Sequence, residues 1–151
     1  MQVVSGSGST IGAVNGKGNL IVGYNEAGFC KTVAATCNTS ADCGGDNCLT
    51  SGPKTGSHNL IVGAGNSYSS YGGFVAGELN VVSGAGASVS GGYENHATGF
   101  VASVSGGISN TASGAESSIS GGAVLVQPAT DGWAAGSATP GNTINGDFES
   151  P

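Results

Sequence analysis

Between residues 80 and 122 the chain alternates apolar and polar positions in short bursts and then starts over. The segments 80–92, 95–107 and 110–122 read NVVSGAGASVSGG, NHATGFVASVSGG and NTASGAESSISGG, with two variable residues between successive copies. Asn recurs at 80, 95 and 110, Gly at 84, 99 and 114, Ser at 88, 103 and 118, and a β-branched residue at Val89, Val104 and Ile119. A Gly pair closes each copy. The stretch Ala87-Ser88-Val89-Ser90 has period two, which is the pattern of a short strand with one face in and one face out. Glycines on both sides supply tight turns. A period of fifteen residues holds two strands of four or five residues and two turns, so each copy predicts one coil of a β-solenoid. Helical repeats need longer periods and less Gly, and a three-sided hexapeptide helix would return after about eighteen residues.

Weaker copies extend the array. NLIVG at 19–23 and again at 59–63 fits the SVSGG column, FVAG follows at 74–77, and QVVSG at 2–6 echoes NVVSG at 80–84. This alignment predicts a core column of Leu20, Leu60, Phe74, Val89, Val104 and Ile119, and a second, smaller one of Val82, Ala97 and Ala112. The organisation that follows is first coils over 1–23, an inserted loop over 24–58, regular repeats over 59–122, and an irregular C-terminal cap or start of a linker over 123–151. After Gly122 the repeat fails and Pro128 and Pro140 interrupt it. Val124, Leu125, Val126 and Trp133 suit the covering of an open solenoid end. The Asn column reads as turn formers stacked into a ladder rather than as ligand contacts. The Ser columns read as stacked hydroxyls rather than nucleophiles, because no His or carboxylate accompanies them at a repeating position.

Composition sharpens the picture. Leu, Ile, Val and Phe together supply 29 of 151 residues, fewer than the 30 glycines. Charged residues are only 8% and the net charge is −6, which does not fit ordinary disorder. Burial must therefore come from regular stacking or from partner chains. Three lysines (Lys17, Lys31, Lys54) and no arginine argue against nucleic acid and anionic membrane surfaces as partners. No stretch approaches the ~20 apolar residues of a membrane span. The opening MQVVSGSGST lacks the basic start and apolar middle of a signal peptide, and Met1 is read as a fragment boundary.

All four cysteines, Cys30, Cys37, Cys43 and Cys48, lie outside the repeat, with spacings of six, five and four residues. Such a cluster predicts two disulfides tying down a projecting loop in an oxidising, extracellular setting, with three pairings open. Zinc sites use closer paired spacings. Asp42, Asp46 and Asn47 offer oxygens suited to Ca²⁺, but turn residues in a tight loop account for them as well. Asn38-Thr39-Ser40 matches the glycosylation sequon.

The units Asn-x-Ala-[Ser/Thr]-Gly…Ala-Ser-Val-Ser-Gly-Gly resemble the head repeats of trimeric autotransporter adhesins and related haemagglutinin-like surface proteins, firmly over 57–122 and loosely over 1–23. The resemblance implies an all-β fold, a left-handed parallel β-roll of 14–15-residue coils, with three identical chains side by side. A thin coil agrees with a homotrimer, since two or three small apolar side chains offset little of the ~1–2 kcal/mol of backbone entropy lost per ordered residue. Val75, Val101 and Ile108 are the expected subunit contacts. The two histidines, His58 and His96, occupy different columns and the carboxylates are scattered, so the expectation is a non-enzyme without a cofactor. The leading function is the extracellular adhesive or spacing head of a surface fibre, presenting the cysteine loop. A phage-tail or injection-system fibre unit is the alternative, and a carbohydrate- or ice-binding solenoid the third. Tyr68 and Tyr71, beside the loop's return, and Trp133 are the expected ligand contacts.

Overall fold

The structure is a computed structural model and describes residues 3–23, 28–31, 35–37, 40–45, 47–50, 52–137 and 143–145. Each of five successive coils lays one strand into each of two sheets, and the first sheet continues by a further parallel strand at either end. The first sheet stacks Leu20–Val22, Leu60–Ala64, Phe74–Glu78, Ser88–Val89, Ser103–Val104, Ser118–Ala123 and Trp133–Ser137 in chain order. The second stacks Ser67–Tyr68, Val81–Val82, His96–Ala97, Thr111–Ala112 and Val126–Gln127. The result is an all-β parallel solenoid of about 5 coils with a core between its two sheets.

That core is thin, and its principal column is Ile61, Val75, Val89, Val104, Ile119 and Ala134, with Ile21 packed at one end. The second column runs Tyr68, Val82, Ala97, Ala112 and Gln127, so its side chains are small in the middle and large at both ends. Half of the expected principal column is displaced by one residue. Leu20 and Leu60 are 42% and 38% exposed and Phe74 is half-buried, whereas Ile61 and Val75 are each 1% exposed. Val75 is thus core rather than a subunit contact.

The cause of the displacement is the Gly pair. Val75 aligns with Val89, yet Glu78 aligns with Tyr93, so the later coil carries one extra residue between its core strand and its corner. The earlier coils are fourteen residues long and the later ones fifteen. Counting back from the closing glycine therefore shifts Phe74 and Leu60 onto the wrong face, as any one-residue slip does in a strand of period two. The same irregularity recurs between Ile119 and Gly122 where the strand Trp133–Ser137 pairs.

One corner is built by stacked asparagines. The side-chain oxygen of Asn66 accepts the backbone N–H of Asn80 (3.0 Å), Asn80 that of Asn95 (2.7 Å), Asn95 that of Asn110 (3.1 Å), and Asn110 that of Leu125 (2.9 Å). Each amide nitrogen of Asn80, Asn95 and Asn110 donates back to its own corner and forward to the next coil, as Asn95 does to the carbonyls of Gly91 (3.2 Å) and Gly107 (2.9 Å). The corner needs Gly where coils touch. At Gly107, with φ of +95°, a Cβ would run into the carbonyl of Gly122.

The insert is shorter than the expected 24–58. Tyr68 N–H bonds the Pro53 carbonyl (3.0 Å), Gly56 N–H the Tyr68 carbonyl (2.9 Å) and Ser57 N–H the Ser70 carbonyl (3.0 Å), so the chain has rejoined the roll by Pro53. Within the insert, Gly28–Cys30 pairs antiparallel with both Thr36–Cys37 and Cys48–Thr50, and a 3₁₀ turn spans Ser40–Cys43. Two disulfides, Cys30–Cys43 and Cys37–Cys48, lock this module. At the other end the expected irregular segment after residue 122 is instead regular through residue 137. Val126–Gln127 and Trp133–Ser137 continue both sheets, and Thr143–Asn145 then adds antiparallel to the last strand. Leu125 is buried and ends the Asn ladder, while Val124 and Val126 point outward and are exposed.

Replacing Asn95 by Ala strands the buried Asn110 N–H and the Gly91 carbonyl and leaves the Gly107 carbonyl only its bond from the Tyr93 N–H, and is expected to cost about 3 kcal/mol. Asn95→Asp is expected to cost more, because it buries a charge facing those carbonyls. Urea unfolding of the variants measures both; a loss under ~1 kcal/mol for Asn95→Asp would show that the ladder does not carry the corner. Leu20 and Leu60 pair across forty residues and Leu60 and Phe74 across fourteen, leaving twenty-six to the insert. Deleting 26–51 is expected to leave a folded roll with unchanged melting temperature, whereas deleting 26–47 leaves the joined coil four residues too long and is expected to lower it. Equal thermal melts for the two deletions would contradict the stacking of Leu20 on Leu60.

Candidate binding groove

The insert leaves the roll after Gly23, at the corner where later coils carry 77–80, 92–95 and 107–110, and folds back along that corner. Asn47, Cys48 and Leu49 of the module face Leu79, Glu94, His96, Ser109 and Thr111 of the roll across an open cavity of about 620 Å³. The repeat determines the spacing of the roll's contribution. Leu79, Glu94 and Ser109 each precede a ladder Asn and hold left-handed backbone, with φ of 54°, 53° and 55°. Their N–H groups donate to the carbonyls of Ala64, Glu78 and Tyr93, one coil back. This fixes three side chains at consecutive coil spacings on one edge. His96 and Thr111 pair directly in the second sheet, about 4.8 Å apart.

The electrostatics are acidic and hydroxyl-rich. Ser109 Oγ donates to Glu94 Oε2 at 3.3 Å. Beside the groove, the Tyr93 phenol is pushed above its ordinary value, first by partial burial and then by the Glu94 and Glu78 carboxylates. None of the three lysines is among the lining residues. A second cavity of about 490 Å³ lies between residues 3–10 and His58. There the N–H of Ser5 donates to His58 Nε2 (3.2 Å), while His58 Nδ1 is buried without a hydrogen-bond partner.

The aromatic residues expected at a site are not brought together. Tyr68 is buried in the second core column, bridged to Lys54. Tyr71 is half-buried and bridged to Ser57. Trp133 sits at the far end of the roll on the outward face, its indole N–H donating to Ser120 Oγ (2.7 Å). The sulfurs of Cys30, Cys37 and Cys43 lie within 4.8 Å of one another, but all are committed to disulfides and offer no thiolate. Asp42 is exposed in the 3₁₀ turn, and Asp46 lies outside the described residues, as do Asn38 and Thr39 of the sequon.

Two features escaped the sequence reading. The groove's corner residues looked like spacers, because they are the dipeptides that vary between constant columns; that variation was itself the available signal. The second is the outward face of the first sheet. Leu20, Leu60 and Phe74 form one row across neighbouring strands and Val22, Val62 and Ala76 a parallel row, before serines at 88, 90, 103, 105, 118 and 120 take over. Within that serine field Ser103 and Ser118 are joined at 3.1 Å.

A comparison with protein-family models, curated proteins and solved structures finds no match to this chain. Because anionic neighbours disfavour the phenolate, Glu94→Gln is expected to bring the Tyr93 titration down toward the ordinary tyrosine range. Ultraviolet difference titration of tyrosinate measures this, and an unmoved curve would show that Glu94 does not face the Tyr93 hydroxyl.

Proposed function

We propose that the chain is a non-catalytic, extracytoplasmic scaffold, the rigid head of a surface fibre, that presents the disulfide-tied module and the groove beneath it. The observation that carries this reading is the division of labour inside the repeat. Its constant polar residues, Asn80, Asn95 and Asn110, are buried and engaged in bracing their own corner and joining one coil to the next. The variable corner residues Tyr93, Glu94, Ile108 and Ser109, half-buried or exposed, and the module form the outer surface. Two disulfides, and the absence among the described residues of a helix long and apolar enough to cross a membrane, are compatible with an extracellular location.

The chain's partner in this reading is itself. Leu20, Val22 and Leu60 leave large apolar side chains exposed on the first sheet, continuous with Val62 and Phe74. A contiguous apolar face on a core this thin favours association. Three rolls packed side by side on that face agree with the resemblance of the repeat to trimeric adhesin heads. Val101 and Ile108, both exposed, add to the apolar surface at the corners.

Native mass spectrometry at micromolar concentration is expected to give a trimer. Leu60→Lys is expected to give a folded monomer with unchanged circular dichroism, because Leu60 faces outward in the single roll. A stable monomer of the parent chain would sink the self-association reading, and a trimeric Leu60→Lys would move the contact to another face.

A further inference from the structure

We propose that the groove between the disulfide module and the roll's corner binds a neutral glycan. This rests on the reading of the chain as a presenting scaffold and names the ligand class of its outer surface. The cavity of about 620 Å³ falls in the range of small-molecule sites. Its lining combines the Glu94 carboxylate, the Ser109 and Thr111 hydroxyls, the His96 imidazole and the Asn47 carboxamide with the exposed apolar side chain of Leu49, above the buried Leu79. A polyhydroxylated ring needs both kinds of surface. Its hydroxyls pair with carboxylate and amide groups that accept and donate, and its C–H faces lie on aliphatic side chains.

Charge narrows the class. Among the described lining residues Glu94 is the one formal charge, and Glu78 lies beside Tyr93 just outside, so a phosphate, sulfate or sialic acid would meet repulsion on the roll's side of the groove. Within the lining, the hydroxyl of Ser109 donates to Glu94 Oε2 and the neighbouring Tyr93 phenol also bonds this carboxylate, so Glu94 is held in place as an acceptor at the groove. The left-handed backbone at Leu79, Glu94 and Ser109 costs about 1–2 kcal/mol per residue where no glycine relieves it. The same backbone recurs at Val124 in this column and at Val101, Glu116 and Asp131 on the opposite corner, so it belongs to the repeat; at the groove it sets the half-buried Glu94 and Ser109 one coil apart.

The test uses the whole chain, labelled and applied to an array of neutral, amino-sugar, sialylated and sulfated oligosaccharides, alongside lysine- and arginine-rich peptides. Binding to neutral oligosaccharides is expected, weakened at least tenfold by Glu94→Gln and abolished by the 26–51 deletion. Ser109→Gly separates binding from folding. Glycine suits the φ of +55°, so thermal stability is expected to hold or rise while affinity falls. Binding confined to basic peptides would overturn the proposal and assign the groove to protein. Binding confined to anionic glycans, no binding at all, or full binding by Glu94→Gln would overturn it too. None of these results touches the solution mass, so the scaffold reading stands or falls separately.

Discussion

A coil of fourteen or fifteen residues closes only if the chain reverses twice, and each reversal turns backbone N–H and carbonyl groups toward an interior too narrow for water. Asn66, Asn80, Asn95 and Asn110 supply partners to these groups. Each side chain accepts one N–H from the next coil, and those of Asn80, Asn95 and Asn110 each donate to carbonyls both in their own corner and in the next coil. A carboxamide is the one short side chain that accepts and donates on opposite sides in this way. Everything else in the repeat follows from that spacing. Glycine at the adjoining corner lets successive coils approach, and Ala97 and Ala112 fill a gap that has room for little more than a methyl group.

The two ends of the roll solve a different problem from its middle. Where the ladder ends, Leu125 replaces Asn and Gln127 replaces Ala, and the Gln127 carboxamide folds back to the Ala129 N–H and the Trp133 carbonyl. At the opposite end Tyr68 and Ile61 enlarge the core where fewer neighbours cover it. The strand Thr143–Asn145, running antiparallel to its neighbour, occupies the outer edge of the first sheet, which would otherwise present unpaired backbone groups to another chain.

The period, the two columns of the regular copies and the disulfide module were legible because each rests on identity of residue type at fixed spacing. Val89, Val104 and Ile119 could be placed in the core by counting alone. Leu20, Leu60 and Phe74 could not, because LIV and FVA are apolar on both faces and give no alternation to fix which side is in. The only other guide was glycine, and the extra glycine at 91 misleads by one residue. The continuation of the roll past Gly122 was hidden for the opposite reason: Gln127 and Ala134 occupy core positions with side chains unlike those of the columns they extend. The groove depends on how the insert folds back over the corner, and no local pattern encodes that approach.

In a parallel roll the hydrogen bonds between coils run along the long axis, so a chain held at one end and pulled at the other carries its load through them in series. Such an object yields one coil at a time. Each fifteen-residue turn released adds roughly 50 Å of slack, and the turns behind it keep their own ladder contacts. The insert behaves differently under the same load, because Cys30–Cys43 and Cys37–Cys48 interlock across most of its length and deny it that slack. A tether built this way lengthens stepwise under tension along the roll, while the disulfide-tied part resists extension.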